Sequence, residues 1–486
     1  MTLEVRDAGV ELRHDPARVV VELFAPGEST PGGSSRTLQV LDRVLAIPTE
    51  EIGPAAERIL TDFGERHVDL RDTLVANAMK VHPGVADLDA DLGVVLGASF
   101  SAEHSIEGAA LCNPSAVPHP DQSGLAPGAL RVAVSMRSIG EGHVSTISFG
   151  TAVIAADRTW TFGERALPLV RAVVSEGEWE ADHFRRALEH HGQLTEIARV
   201  VLQGVGDRFK SSDIEAVILR LPNEFLTHFD SRAKVEAVRL IGRSAYDAAF
   251  PAGSDLSQRV LLPAADEERH GVEDARFVRF VGDQGEVEYR ASYTAYDGRS
   301  IASRLLLTDD FETFTVHRMT GDPARTKGMA FFPRRINGWL YALTRSDGES
   351  NLLARSRDGL DWGDEVLVQS PRMLWEVVQT GNCGVPIETD RGWLVLTHGV
   401  GPMRRYGLGA ILLDLDDPSR VVAQLESSLL QPRGAEQNGY VPNVVYSCGG
   451  LVHDGILWIP HGVGDDHIRV VSVVLDDLLD AMAPTG

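Results

Sequence analysis

The chain has 486 residues, 43% hydrophobic and 24% charged, an ordinary globular balance and not that of a disordered chain. Its 70 acidic residues against 46 basic ones leave a net charge of −24, a field that repels polyanions and argues against nucleic acid as a main partner. A small anion stays open, because a local cluster of Arg and Lys outweighs a distant average. The three cysteines, Cys112, Cys383 and Cys448, are widely spaced and odd in number, so neither a disulfide framework nor a zinc site is expected. The first residues, MTLEVRDAGVELRHD, lack the basic-then-apolar pattern of a signal, and no uncharged apolar run reaches about 18 residues. The expectation is a soluble cytoplasmic protein without membrane contact.

The first 50 or so residues mix short apolar runs, RVVVELFAP and LQVLDRVLAIP, with Gly, Pro and Ser. Helical apolar spacing follows over 49–81, with a start at Thr49 to Glu51. From about 93 the segments LGVVLGASF, LRVAVSMRSI, HVSTISFGTAVI and WTFGERALPLV read as short strands. The middle of the chain reads as three or four helices. Apolar residues recur at three and four spacings (Ile197, Val200, Val201; Val235, Val238, Ile241), Pro222 ends one helix, and the last runs on through SAYDAAF.

Strand texture returns at 271 and continues to the C-terminus. Turn signals fall about every 8 to 12 residues, among them Tyr296-Asp297-Gly298, Ile336-Asn337-Gly338, Asp390-Arg391-Gly392 and Asp454-Gly455. Short strands at such spacing mark a sandwich, barrel or propeller. DGRSIASRLLLTDDFETF and DGESNLLARSRDGLDW share one plan, a DG turn, a strand, a second turn and an aromatic, as repeated blades would.

Seven segments in this order resemble glycoside hydrolase family 130, the β-mannoside phosphorylases and β-mannosidases. They are Asn113-Pro114-Ser115, GVEDARF at 271, KGMAFFPRRINGWLYALTR at 327, GNCGVPIETDRGWLVLTHGV at 381, YGLGAILLDLDDPSRV at 406, GYVPNVVYSCG at 439 and PHGVGDDHI at 460. The resemblance spans roughly residues 90–168 and 262–480. It implies a mainly β fold, a five-bladed β-propeller with the site at the axial end of its channel. The implied division is an N-terminal α+β extension over 1–88, propeller over 89–168, an α-helical insertion over 169–261 and the remaining propeller over 262–486.

Cleaving a glycoside needs a proton for the leaving oxygen and a nucleophile for the anomeric carbon, which inverting enzymes bring from outside. Water needs a carboxylate base, whereas phosphate, already charged, needs cations and donors. By resemblance Asp274 is the catalytic acid, acting through a sugar hydroxyl. The motif here reads EDAR where the family has EDPR, which alters backbone stiffness and not chemistry. Read as residues alone, Glu273-Asp274 is an acidic turn with Arg276 as its ion-pair partner.

Lys327 and Arg345 fall where the family's phosphorylases place phosphate-binding cations. The first of these is often an arginine followed by asparagine; here Gly328 follows Lys327. A third family cation, a lysine, corresponds to Gln379, and His398, Arg404 and Arg405 are candidates to replace it. Asn113, Arg137 and Asp465 match substrate-contacting positions, and Glu273 and Arg276 are read as a sugar or arginine partner and a positioning cation.

Three further glutamates are candidate bases for a water nucleophile. Glu141 between two glycines is the most suggestive, ahead of Glu376 and Glu388. Of Trp339, Trp375, Trp393 and Trp458, three are expected in the core. No metal motif occurs, and the expected partners are an oligosaccharide and inorganic phosphate as co-substrate, with no cofactor. The amphipathic stripes of the helical parts suit either a cover over the site or a contact within a homo-oligomer.

The expectation is therefore an inverting phosphorylase that converts a β-mannoside and phosphate into α-mannose 1-phosphate. An inverting β-mannosidase and a non-catalytic carbohydrate-binding propeller are the alternatives.

Overall fold

The computed structural model describes residues 3–26, 35–87, 89–222, 225 and 230–485. Most of the chain is β-sheet. A twelve-stranded sheet, a four-stranded sheet, a six-stranded sheet and a five-stranded sheet follow one another along the sequence, with two separate strand pairs beside them.

Turn chemistry sets many of the hairpins. Asn337 and Gly338, and again Asp454 and Gly455, take positive φ at consecutive positions, the twist that suits a tight hairpin. Each read turn lies between paired strands: Val287–Tyr296 with Ile301–Thr308, Ala330–Phe331 with Leu340–Thr344, Ile387–Thr389 with Gly392–Val400, and Leu451–His453 with Ile456–Val463. Strand Gly392–Val400 is buried along its whole length, which accounts for its unbroken apolar texture.

Two readings of local structure are corrected. LGVVLGASF is not a strand: residues Ala90–Ser99 form a helix, capped by the Asp89 carboxylate accepting from the amides of Asp91 and Leu92. A short apolar run does not separate a buried helix from a buried strand by periodicity. This helix packs with Thr49–Phe63 and Leu70–Val81 into one core of Leu74, Val94, Leu96 and Phe100. LQVLDRVL, an apolar run without an assigned element, is helical over Arg36–Leu45. The helix Ser231–Gly242 stops before SAYDAAF, whose Tyr246–Ala249 pairs as a strand with Thr313–Arg318. The helix Ser211–Ile218 ends ahead of Pro222, and residues 223, 224 and 226 of that reading lie outside the described residues.

The helices Ala181–His190, Glu196–Gly204, Ser211–Ile218 and Ser231–Gly242 share a core of Trp179, Phe184, Val201, Ile214 and Val238. Val235, Val238 and Ile241 are buried as their spacing requires, and so are Ile197 and Val201. The bundle is fastened to the sheet by the Tyr246–Ala249 pairing and by His183, whose Nε2 lies 2.8 Å from the carbonyl of Arg318. Strand Arg6–Arg13 pairs with His467–Val474, so the first strand completes the last sheet. No sequence pattern announces that pairing.

A carboxylate deep in the sheet stack shows what such a core demands. Glu268 is fully buried; it accepts from the Tyr246 hydroxyl at 3.1 Å, from the Tyr293 hydroxyl, and from the amides of Ala264 and Ala265. Glu268→Ala strands two tyrosine hydroxyls and two amides, and is expected to lower unfolding stability by about 3 kcal/mol in a urea titration. Tyr293→Phe, which removes a single donor, is expected to cost about 1 kcal/mol in the same titration.

Candidate functional site

Two β-bulges build the centre of the site. Strand Ala110–Pro118 slips register against Leu130–Ile139 between Cys112 and Ser115, and Asn113 takes φ 48°. Strand Gly271–Val281 slips against Val287–Tyr296 between Glu273 and Arg276, and Asp274 takes φ 56°. Left-handed backbone is uncommon outside glycine and is tolerated best by Asn and Asp. Bulges re-aim a side chain out of the ladder, and here the two side chains meet: the Asn113 amide donates to Asp274 Oδ1 at 2.6 Å. Asp465 takes φ 49° in the turn before His467–Val474 and completes a trio of strained short polar residues.

These three, with Arg137, Lys327, Arg345, His398 and Arg404, line one cavity of about 640 Å³. Gln379, Tyr406 and Tyr446 line it as well. Among the described residues, no lining residue comes from the helical part between 169 and 261 or from those ahead of 89. Four cationic side chains and two carboxylates face the space, the reverse of the whole chain's balance.

Arg137 organises the acidic side. Its guanidinium donates to Glu273 Oε1 at 2.7 Å and lies 3.5 Å from Asp274 Oδ1. Lys327 Nζ stands 3.8 Å from Glu273 Oε2 with its side chain nearly half exposed, and so remains available to a ligand. Glu273 thus serves the cations and does not itself line the cavity. Burial acts to raise the Asp274 carboxyl, but Arg137, Lys327, the Asn113 amide and Arg276 together hold it below its ordinary value. Asp465 goes the other way. Burial, with repulsion from Asp274 and Glu273, outweighs Arg137 and Lys327 and pushes it up to about 6.

Arg276 lies beneath the floor, fully buried. It donates to Asn382 Oδ1 at 2.9 Å and to the Tyr446 hydroxyl at 2.7 Å, which leaves the tyrosine proton free to point elsewhere. Arg345 donates from Nη2 to the Gly348 carbonyl at 2.8 Å, and its buried Nε has no partner among the described residues. Gly381 makes this packing feasible, since a Cβ there would lie 2.5 Å from both Arg345 Cδ and His398 Cε1. Asn113 Oδ1 is also buried without a partner, an acceptor available to a hydroxyl.

Several candidates sit elsewhere. Arg405 turns away to donate to the Pro432 carbonyl and is not part of the lining. Arg404 lines it and donates to the Tyr406 hydroxyl at 3.0 Å. His398 is not a spare cation: burial, with Arg345 and Arg276 close by, pushes it well below the ordinary imidazole value.

Glu141 is exposed on a single turn outside the lining. Glu376 is buried as an acceptor for the amides of Arg372 and Met373, and Glu388 is tied to Arg334 on the surface. Trp393 and Trp458 are core residues, and Trp339 is covered by Arg355 and Arg357. Trp375 packs so closely over Gly409 that a Cβ there would lie 2.6 Å from the ring. Sequence reading passed over Tyr446, Tyr406 and Asn382; the segments holding them matched the family, but nothing in their spacing set these residues apart.

A family model described as beta-1,4-mannooligosaccharide phosphorylase, that of glycoside hydrolase family 130, matches residues 254–484. The 1,2-beta-oligomannan phosphorylase of Thermoanaerobacter sp. (strain X514) is 32% identical over 229 residues, which cover 46% of this chain and 75% of the relative. The Beta-1,4-mannooligosaccharide phosphorylase of Ruminococcus albus is 31% identical over 185 residues, covering 36% of this chain and 55% of that one. Among solved structures, Beta-1,2-Mannobiose phosphorylase from Listeria innocua aligns over 78% of this chain and 92% of its own, with 22% identity and a TM-score of 0.46. The chain belongs to glycoside hydrolase family 130. Among the described residues no helix is long and apolar enough to cross a membrane.

The opposed surroundings of the two carboxylates give a direct test. Carboxyl carbon NMR is expected to show Asp465 titrating near pH 6. Asp274→Asn removes a repelling charge and should lower that midpoint, whereas Arg137→Gln removes an attracting one and should raise it.

Proposed function

We propose that this enzyme is an inverting glycoside phosphorylase that cleaves a β-mannoside with inorganic phosphate, giving α-mannose 1-phosphate and a sugar shortened by one unit. The observation that carries the reading is the cavity wall itself. Asp274 lines the same cavity as Lys327, Arg345 and Arg404, and the excess of two cations over carboxylates suits a phosphate dianion. Matches to phosphorylases named for β-1,2- and β-1,4-linked mannosides support the substrate class.

A phosphate oxygen forms its bond to the anomeric carbon from the face opposite the leaving oxygen, while the bond to the leaving oxygen breaks. The leaving oxygen takes up a proton that Asp274 supplies through a sugar hydroxyl. In the free site Asp274 is held ionised, so the proton must be loaded first. A dianion seated on Lys327 and Arg345 cancels part of the positive field that lowers Asp274 and adds a repelling charge, and both changes raise its pKa. The acid is therefore armed when the nucleophile is in place. Asn113 Oδ1 and Asp465 are placed to take sugar hydroxyls.

The sheets support a five-bladed propeller. The twelve-stranded sheet divides into two blades at the parallel contact of Gly271 with Ser145, and the four-, six- and five-stranded sheets make three more. In this division residues 169–261 are an insertion and 1–88 an extension whose first strand joins the last blade.

An inverting β-mannosidase is the rival. It needs a base for water, and Asp465 is the one lining carboxylate besides Asp274 among the described residues. Cleavage of β-1,2-, β-1,3- and β-1,4-mannobiose with and without phosphate separates the two. Mannose 1-phosphate formed only with phosphate is the expected outcome; free mannose at an equal rate without phosphate would contradict it. Asp274→Asn is expected to lower kcat by about 1000-fold. Lys327→Ala and Arg345→Ala are each expected to raise the phosphate KM by roughly tenfold or more with a smaller effect on the mannoside KM.

A further inference from the structure

Resting on that reading, we infer that the helical part of the chain, through His191 and Arg325, positions the segment that carries Lys327 and so sets the affinity for phosphate. Among the described residues, none of the helical part lines the cavity. Its helix Ala181–His190 instead holds the chain that leads there. Residues 319–326 cross from strand Thr313–Arg318 of the twelve-stranded sheet to Ala330–Phe331 of the four-stranded sheet. Lys327 stands at the far end of this crossing.

The helix ties down both ends. At the near end His183 Nε2 donates to the Arg318 carbonyl at 2.8 Å. The Arg318 side chain donates in turn from Nε to His191 Nε2 at 3.1 Å, and its Nη2 meets the same nitrogen. A guanidinium only donates, so His191 Nε2 holds a lone pair and the ring is neutral. Glu267 accepts from Arg318 Nη1 at 2.7 Å, which fixes this buried arginine from a second side. At the far end Arg325 Nη2 donates to the His190 carbonyl at 2.9 Å. That carbonyl ends the helix, where carbonyls lack helical partners and a cation is favoured.

Arg325 lies two residues from Lys327, and Thr326 between them lines the cavity. The Thr326 hydroxyl donates to the Arg345 carbonyl at 3.3 Å, and its own carbonyl accepts from the Ser303 hydroxyl at 2.7 Å. One short stretch thus joins the end of a helix to both cations read as phosphate ligands. Lys327 depends on such support. Its contact with Glu273 is loose, at 3.8 Å, and the permissive Gly328 follows it at φ 92°. The backbone on its other side therefore decides where the ammonium stands, and a shift of about 1 Å is enough to weaken a contact of this kind. His191 and Arg325 are positioning residues that act through this backbone.

Phosphate and mannoside KM, calorimetric phosphate binding and thermal unfolding of a small set of variants test this. His191→Leu removes an acceptor without changing charge, and Arg325→Met removes the tie to the helix end. Each is expected to raise the phosphate KM and Kd by about 3- to 10-fold while the mannoside KM stays within about twofold. His191→Gln, whose amide oxygen accepts from Arg318, and Arg325→Lys, which keeps a donor and the charge, are expected to recover most of the loss. Val201→Ala opens a cavity in the helical core; it is expected to lower the unfolding midpoint and leave the phosphate KM within about twofold. Unchanged phosphate KM and Kd in both His191→Leu and Arg325→Met would overturn the inference. So would an equal rise in the mannoside KM, or a rise in phosphate KM just as large in Val201→Ala, since either marks general loosening. Weaker phosphate binding by the two variants of a protein that turns over without phosphate would keep the inference and sink the phosphorylase reading; no phosphate binding by the wild type would end both.

Discussion

The hydrogen bond from Asn113 to Asp274, 2.6 Å long, is the contact on which the rest of the site depends. Each partner sits at a register slip in a different strand pair, with its backbone in the left-handed region. The surrounding ladders must hold both distortions, and they are suited to it. Ser115 lies just past the first slip, and its hydroxyl accepts from the amide of Phe277 at 3.1 Å, tying the two bulged strands together. Strain of this kind persists where packing over-determines it. Here it aims a carboxylate and an amide into a cavity whose floor is the buried Arg276.

Electrostatics then divides labour among groups of similar type. Asp274 has Arg137 and a hydrogen bond and stays ionised; Asp465, without a comparable partner, is pushed up to about 6. Two arginines differ in the same way. Arg276 is fastened to Asn382 and Tyr446 beneath the floor and acts as framework, while Arg345 lines the cavity itself. The chain's strong negative charge has little say in this, since a screened distant field does not compete with four cations around one small space.

Much of the sheet architecture was legible in the sequence because hairpin turns have local chemistry. Asn-Gly and Asp-Gly steps announce themselves, and so does the alternation of Val235, Val238 and Ile241 on a helix face. What was not legible was long-range or ambiguous by nature. The pairing of Arg6–Arg13 with the last strand joins opposite ends of the chain. The helix Ala90–Ser99 has an apolar run too short and too uniform to show a period. Motif matching brought Asn113, Asp274, Lys327, Arg345 and Asp465 into one cavity, but it could not tell Arg404, which faces that cavity, from Arg405, which turns to a backbone carbonyl. Nor could it show that Glu141, between its two glycines, stands on an exposed turn, or that burial beside Arg345 and Arg276 lowers the His398 imidazole well below its ordinary value.

The reverse reaction tests the central claim most directly, that a phosphate held opposite Asp274 is the partner of the anomeric carbon. The protein would be given mannose as acceptor together with either α- or β-mannose 1-phosphate, and release of inorganic phosphate followed with time. Phosphate release from the α-anomer alone, dependent on the acceptor, with a mannobiose formed in equal amount, is the predicted result. Release that ignores the acceptor, or none from either anomer in a protein that cleaves β-mannosides, would contradict the account.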